Sequence, residues 1–253
     1  TEEDIPVLLS VGKDSIYIWE KDDTMLHENE AAEILYAMCK NKHMHPSDVK
    51  EGKIEVIADC DGLLKVDSDK LKKVNAFGQM MIASRHGNTS VKKGDKLAGT
   101  RIIPLVIEKE KMHKAAAICA DGPILELKEF HKKKVGIITT GNEVYHKRIE
   151  DTFTPVIKEK LAEYDTEVIY HEIFDDNHEK ITRGCLTAIE KGADLVICTG
   201  GMSVDPDDKT PLAIKNTGAE IVSYGAPVLP GAMFLLSYYK NDIPILGLPG
   251  CVM

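Results

Sequence analysis

The densest group of residues that could do chemistry is segment 199–211, which reads Thr-Gly-Gly-Met-Ser-Val-Asp-Pro-Asp-Asp-Lys-Thr-Pro. The apolar run 193–198 before it predicts a buried strand, and the residues after it predict a helix. Glycines let a ligand approach the backbone, and the N–H groups of a helix start attract anions. Because Asp205, Asp207 and Asp208 would repel a bare phosphate, the pattern favours a hard cation such as Mg²⁺ between carboxylate and phosphate. A loop whose charges are only solvated is the alternative interpretation.

Two further glycine-containing loops follow predicted strands in the same half of the chain. The strand 134–138 leads into segment 139–143, which reads Thr-Thr-Gly-Asn-Glu, and the strand 243–248 leads into Pro249 and Gly250. In an open α/β sheet, ligands bind outside the carboxyl ends of the strands. The three loops are therefore predicted to converge at one edge of the sheet.

These motifs resemble the molybdopterin-binding domain of molybdenum-cofactor biosynthesis proteins, the family of MoeA, MogA and gephyrin. The resemblance covers roughly residues 133–253, and its most specific part is the Gly-Gly pair followed by Asp208 and then Thr-Pro. Segment 139–143, the Asp175-Asp176 pair and the Leu-Pro-Gly ending at Gly250 complete it. The resemblance implies binding of the phosphorylated pterin dithiolene, together with Mg²⁺. Members of the family either adenylylate this molecule or insert molybdate into it.

The resemblance also implies which residues form the site. Asp208 is the expected catalytic residue and Mg²⁺ ligand, with Asp205 and Asp175 as further catalytic candidates. Asp208 could instead only cap the helix that follows it. Backbone N–H groups and the Ser203 hydroxyl would hold the terminal phosphate of the pterin. The expected molybdopterin-binding residues are Thr140, Gly141, Glu143, Thr199, Gly200, Gly201, Ser203, Pro249 and Gly250.

Two departures from the family pattern bear on the activity. Cys251 stands where the family usually has Asn, and Ala232 and Met233 stand where molybdate-inserting members usually have Lys-Pro. The expected function is molybdopterin binding with molybdate insertion, as in a molybdopterin molybdotransferase-like enzyme. The alternatives are a non-catalytic module that stores, senses or delivers molybdopterin, and a molybdopterin adenylyltransferase.

Composition limits the classes of protein that fit. A length of 253 residues suggests one large or two modest domains. The net charge of −9 argues against nucleic-acid binding, which needs clustered Lys and Arg. No uninterrupted apolar run of about 18 residues and no signal-peptide pattern is found, so we expect a cytoplasmic protein without a membrane partner. The expected partners are molybdopterin or its adenylate, molybdate, and further copies of this chain in a homo-oligomer.

The chain is predicted to divide after residue 132, in a polar and basic run. Residues 133–253 alternate strands with helices, which predicts an α/β domain with a mostly parallel sheet and flanking helices. Residues 1–132 predict a small α+β domain that begins with a hairpin of strands at 7–12 and 16–20. The sequence stops just after the last Gly loop, where another helix is expected, so we expect the second domain to be truncated at its C-terminus.

Two helices of the second domain have clear start signals. Pro155 at the first helical position predicts a helix that begins at Thr154, because the missing N–H has no partner there anyway. Asn177 is a favourable cap for a helix at 178–191, and Gly192 is a favourable residue for its end.

Overall fold

The computed structural model describes residues 2–15, 22–203 and 208–252. The chain forms two compact units, Thr1–Phe130 and His131–Met253. The division lies two residues before the predicted boundary at residue 132. Within the described ranges, no helix is both long and apolar enough to cross a membrane.

The N-terminal unit consists of short helices and antiparallel strands. In chain order these are α1 (Ile5–Ser10), β1 (Met25–His27), α2 (Glu28–Cys39), β2 (Met44–Pro46), β3 (Lys53–Ala58), β4 (Gly62–Val66), α3 (Ser68–Asn75), β5 (Met80–Ser84), β6 (Thr89–Val91), β7 (Lys96–Ile102), β8 (Val106–Glu108), α4 (Lys109–Ala117) and β9 (Leu125–Glu129). The sheets have the strand orders β2-β3-β7-β5, β6-β4-β9 and β1-β8. The helix α2 buries Ala31 and Leu35 completely, four residues apart on the face that joins the core.

The predicted hairpin at the start of this unit is wrong for its first strand. Residues Ile5–Ser10 form a helix with Pro6 in its first turn, a position where proline fits a helix well. A short apolar run without alternation does not distinguish a strand from a helix. The second predicted strand, 16–20, lies outside the described residues.

The C-terminal unit alternates strands and helices before it ends in three consecutive strands. In chain order its elements are β10 (Lys134–Thr140), α5 (Asn142–Tyr145), α6 (Phe153–Ala162), β11 (Glu167–Phe174), α7 (His178–Glu190), β12 (Leu195–Thr199), α8 (Thr210–Asn216), β13 (Glu220–Tyr224), β14 (Leu235–Tyr239) and β15 (Ile243–Leu248). A 3₁₀ turn, Gly250–Val252, follows β15.

These six strands form one sheet in the order β11-β10-β12-β15-β14-β13. The pairs β10–β11, β10–β12 and β12–β15 are parallel, whereas β14–β15 and β13–β14 are antiparallel. The prediction of an α/β fold is confirmed, but the sheet is mixed rather than mostly parallel. The chain between β13 and β14, and between β14 and β15, is too short for the crossover of a dozen or more residues that a parallel pair needs.

The interior strand β10 is buried on both faces of the sheet. Its successive side chains point to opposite faces, and each face meets a different hydrophobic cluster. Ile138 packs into the cluster that contains Ile181 of α7, and Ile137 packs into the cluster that contains Ile157 of α6. Gly136 allows α7 to come close, since a Cβ atom there would lie 2.6 Å from the Cβ of Ala188. Helices on both faces therefore fix the strand whose carboxyl end begins the first Gly loop.

Candidate functional site

A cavity of about 710 Å³ is lined by the loops that follow β10, β12 and β15. Because these three strands are parallel neighbours, their carboxyl ends meet at one edge of the sheet. The structure thus brings together segments that are more than a hundred residues apart in sequence. The lining residues that the sequence had also indicated are Thr140, Gly141, Glu143, Gly200, Gly201, Ser203, Asp208, Pro249 and Gly250.

Three of the expected site residues do not lie in the described lining of this cavity. Asp205 lies outside the described residues. Thr199 is completely buried at the end of β12, and its carbonyl accepts a hydrogen bond from Thr140 Oγ1 at 3.1 Å. Asp175 carries an ion pair, with its Oδ2 2.7 Å from Lys180 Nζ.

The neighbouring carboxylate, Asp176, is the one that lines the cavity. Its Oδ2 accepts a hydrogen bond from the backbone N–H of Asn142 at 3.0 Å, which ties the end of β11 to the loop after β10. The structure therefore moves the cavity-facing role from Asp175 to Asp176. Lys180 donates a hydrogen bond to the carboxylate of Asp175, which raises the pKa of Lys180. This ion pair joins α7 to the end of β11.

The Gly-Gly pair is needed for close packing of the loop backbone. Gly200 and Gly201 have φ angles of +83° and +55°, which residues with a side chain rarely adopt. A Cβ atom on Gly200 would overlap the carbonyl oxygen of Thr140, and one on Gly201 would lie 2.9 Å from Thr210 Oγ1. The two loops therefore contact each other through their main chains.

Hydroxyl groups join these loops beneath the cavity. Thr210 Oγ1 donates to the carbonyl of Gly200 at 2.8 Å and lies 3.0 Å from Thr140 Oγ1. Both threonines are buried, so these hydrogen bonds are shielded from water. The Thr140 hydroxyl consequently holds together the ends of β10 and β12 and the start of α8.

The charged side chains of the described lining are acidic. Its ionisable side chains are Glu143, Asp176, Asp208 and Cys251, and it includes no Lys, Arg or His. Tyr224 of β13 is close to this charge: burial raises its pKa, and the negative charge of Asp208 raises it further. The Tyr224 hydroxyl donates to the carbonyl of Met202 at 3.2 Å. A ligand of this cavity therefore meets three carboxylates.

The expected Mg²⁺ ligand is Asp208. Among the residues that the structure describes, no group of three or more His, Cys, Asp or Glu side chains is arranged to hold a metal ion. The described part of the site therefore does not fit a resident Mg²⁺ ion, and we derive no step through one.

The sequence analysis missed the apolar part of the lining. Phe153 begins α6, and its ring packs against Gly250, where a Cβ atom would lie 2.9 Å from Phe153 Cζ. Met202 is buried against Gly247, and the sequence offered only its place in the Gly loop as a signal. The remaining lining residues that the sequence did not indicate are Val144 and Ile149, whereas Asp176, Met233 and Cys251 belong to motifs that it had pointed out without assigning them to the site.

Comparison with known proteins identifies the C-terminal unit. Residues 136–253 match the family described as "Probable molybdopterin binding domain", which confirms the predicted resemblance for this part of the chain. The chain is 28% identical over 169 residues to the molybdopterin molybdenumtransferase of Haemophilus influenzae, an alignment that covers 63% of this chain and 39% of that protein. It is 33% identical over 105 residues to a Bacillus cereus protein whose name includes "competence-damage inducible protein", covering 42% of this chain and 24% of that protein. The chain thus spans well under half the length of these relatives.

A solved structure with a similar arrangement is the tungsten cofactor synthesizing protein MoaB from Pyrococcus furiosus. It is 27% identical, with a TM-score of 0.41, and the match covers 48% of this chain and 84% of that chain.

Proposed function

We propose, from the membership of residues 136–253 in the molybdopterin-binding domain family, that this chain binds molybdopterin in the cavity and inserts molybdate into it. The observation that carries the proposal is the meeting of Glu143, Gly201 and Asp208, from two separate loops, in one cavity lining. In this proposal, backbone N–H groups of the Gly loop and the Ser203 hydroxyl hold the terminal phosphate. Asp208 aligns the reacting oxygens, since positioning supplies much of the rate in such transfers.

The extent of the similarity to the transferase supports molybdate insertion over simple binding. That alignment covers 63% of this chain, which is more than the C-terminal unit can supply by itself. It therefore extends into the N-terminal unit. The match to the competence-damage protein, at 42% of this chain, does not require such an extension.

The second candidate is a module that binds molybdopterin without transforming it. The departures from the family pattern favour this candidate. Ala232 stands where molybdate-inserting members usually have Lys, so a cation that could hold molybdate is missing at that position. The third candidate, an adenylyltransferase, draws support from the Asp-Lys-Thr-Pro sequence that begins at Asp208.

A single set of incubations separates the three candidates. The purified protein is mixed with molybdopterin or its adenylate, together with molybdate or ATP, in the presence and absence of Mg²⁺. Formation of the molybdenum cofactor supports the transferase, and formation of the adenylate supports the adenylyltransferase. Recovery of bound and unchanged pterin supports the binding module. Absence of any pterin binding contradicts the proposed function.

We also propose that the chain assembles into a homo-oligomer, most simply a two-fold dimer. β13 is at the edge of the sheet and is exposed along its length, with Val222 60% and Tyr224 45% exposed. An exposed apolar edge strand is a template for pairing with another chain. Sedimentation should show association at micromolar concentrations, and a monomer throughout that range would contradict the dimer.

A further inference from the structure

A half-buried polar cluster surrounds His171 of β11, next to the cavity wall. His171 Nε2 lies 3.2 Å from Thr139 Oγ1 and 3.1 Å from Thr154 Oγ1, and the two hydroxyls are 2.9 Å apart. Asp151 Oδ2 lies 3.8 Å from the same nitrogen. The cluster joins β10, β11 and the first turn of α6.

The geometry excludes a nucleophilic relay of the Ser-His-Asp type. In such a relay, the carboxylate and the hydroxyl contact different nitrogens of the imidazole. Here Asp151 and both threonines face Nε2, and neither Thr139 nor Thr154 is in the cavity lining. The cluster therefore acts on the position of the chain and not on a reacting bond.

The chain segment held by this cluster is the start of α6. Asp151 Oδ1 accepts hydrogen bonds from the backbone N–H groups of Phe153 and Thr154, both at 3.0 Å. The Thr154 hydroxyl is in turn held by His171 and Thr139. Phe153 is thus fixed through its own N–H and through the residue that follows it, while its ring lies in the cavity lining.

We propose that Phe153 is the surface on which the planar ring system of a pterin stacks, and that His171 is a positioning residue that acts through Phe153. The proposal rests on the proposed function for the choice of ligand and assigns the ring portion of that ligand to one wall. Phe153 is the one aromatic side chain in the described lining. Stacking on an aromatic ring is a strong and general way to hold a heteroaromatic ligand.

The charge of the cavity fits the same ligand. A pterin ring carries amino and ring N–H donors along one edge. An ionised carboxylate has no donor and can only accept hydrogen bonds. Glu143, Asp176 and Asp208 supply such acceptors in the same lining as Phe153. Their negative charge, which is unfavourable for a bare anion, is favourable for the donor edge of the ring.

The test measures binding of free pterin, which has the ring but no phosphate, and of molybdopterin. Phe153→Ala should weaken binding of both about tenfold or more, the range seen when a stacking side chain is removed. Tyr164→Ala, an aromatic truncation just beyond the other end of α6, is the matched control and should leave binding unchanged.

The role of His171 is tested by a double-mutant cycle. His171→Gln should weaken pterin binding while thermal melting still shows a folded protein, and Thr154→Val serves the same purpose if that variant does not fold. Because His171 acts through Phe153, the double variant His171→Gln/Phe153→Ala should bind no more weakly than Phe153→Ala alone. Fully additive losses would overturn the positioning role.

The outcomes of these binding measurements distinguish the stacking proposal from the proposed function. Binding of molybdopterin that Phe153→Ala leaves intact overturns the stacking proposal while the proposed function stands. Binding of free pterin that depends on Phe153, without any turnover of molybdopterin, supports the stacking proposal and the binding-module candidate. A wild type that binds neither ligand overturns both proposals.

Discussion

The two units of the chain differ in the polar groups that they bury. Among the described residues, the buried polar side chain of the N-terminal unit is Thr100, whose hydroxyl donates to the carbonyl of Ile54 at 3.0 Å. That unit also forms surface ion pairs such as Lys96–Glu55, at 2.8 Å. The C-terminal unit buries seven hydroxyl side chains, which are Thr139, Thr140, Thr154, Thr199, Thr210, Thr217 and Ser237.

This difference supports the proposal that the ligand site lies in the C-terminal unit. A buried hydroxyl is destabilising unless it forms hydrogen bonds, so a group of them is retained where they hold something in place. Four of the seven hydroxyls form hydrogen bonds at the end of β10 or at the starts of α6 and α8, which border the cavity; they belong to Thr139, Thr140, Thr154 and Thr210. Surface ion pairs, by contrast, contribute little to stability and fix little geometry.

The largest expected effect comes from breaking the contact between the two Gly loops. Gly200→Ala should destabilise the protein by about 3 kcal/mol or more, because it combines a positive φ angle with a clash against the backbone. Gly218→Ala is the matched control, since Gly218 has a similar φ of +85° but no atom within 4 Å of the added Cβ. It should lose only about 1 kcal/mol in urea unfolding. Equal losses for the two variants would contradict the close packing of the loops.

The next largest effect concerns Asp208. Asp208→Asn should preserve the fold, because Asn is similar in size to Asp. The expectation that Asp208 caps the next helix is wrong, since the N-cap of α8 is Lys209 and it has no side-chain capping hydrogen bond. Turnover should fall by about two orders of magnitude, the scale for losing one positioned group in an active site. Asp242→Asn, an exposed change outside the lining, is the control in the same assay. If the protein only binds molybdopterin, the affinity of Asp208→Asn should fall instead. Unchanged affinity and turnover would contradict a role of Asp208 in the site.

The contrast between the buried hydroxyls can be sharpened with two valine substitutions. Thr210→Val and Thr100→Val should each destabilise the protein by about 1–3 kcal/mol, the range for leaving a buried partner unsatisfied. Thr210→Val should also weaken molybdopterin binding, because the Thr210 hydroxyl holds the carbonyl of Gly200. Thr100→Val should leave binding unchanged. If both variants bind molybdopterin as the wild type does, the buried hydroxyls of the two units do not differ in the way stated above.

The smallest expected effect is a difference between the two units in how their stability responds to acid. Burial lowers the pKa of His171, nearby Lys158 lowers it further, and Asp151 offsets part of the shift. Since the folded pKa lies below the unfolded value of about 6.5, the stability due to neutral His171 is full above that pH. It is lost as the pH falls through the folded pKa. His171→Gln should remove this part of the pH dependence of unfolding.

Asp95, in the N-terminal unit, should respond only to stronger acid. The backbone N–H of Lys92 and the charge of Arg85 hold the pKa of Asp95 below its usual range. The stability from Asp95 is therefore present above the unfolded pKa of about 3.9 and is lost as the pH falls through the lower folded value. Asp95→Asn should consequently not change how the free energy of unfolding depends on pH between about pH 5 and 7. A flattened profile in that range would contradict the assignment to His171.

The sequence predicted best the elements that have their own local signals. The helix expected from Thr154 is observed as Phe153–Ala162, and the helix expected at 178–191 is observed as His178–Glu190. The predicted cap Asn177 accepts hydrogen bonds from Glu179 N and Lys180 N at 2.9 and 3.1 Å. Caps and first-turn prolines act within a few residues, so their signals survive without knowledge of the fold.

The features that the sequence did not predict depend on contacts between distant segments. β13 and β14 were missed because β13 is exposed on both faces and has no alternation of buried and exposed residues. Phe153 reaches the cavity only because α6 packs beside the last Gly loop, more than ninety residues away in sequence. The choice between Asp175 and Asp176 depends on the direction in which β11 ends, which a pair of identical residues cannot reveal.

The central claim is that the cavity at the carboxyl ends of β10, β12 and β15 is the molybdopterin site. A crystal structure of the protein with bound molybdopterin tests it most directly. We expect the terminal phosphate beside Gly201 and Ser203 and the pterin ring against Phe153. Molybdopterin bound elsewhere on the chain, with this cavity left free, would contradict the claim.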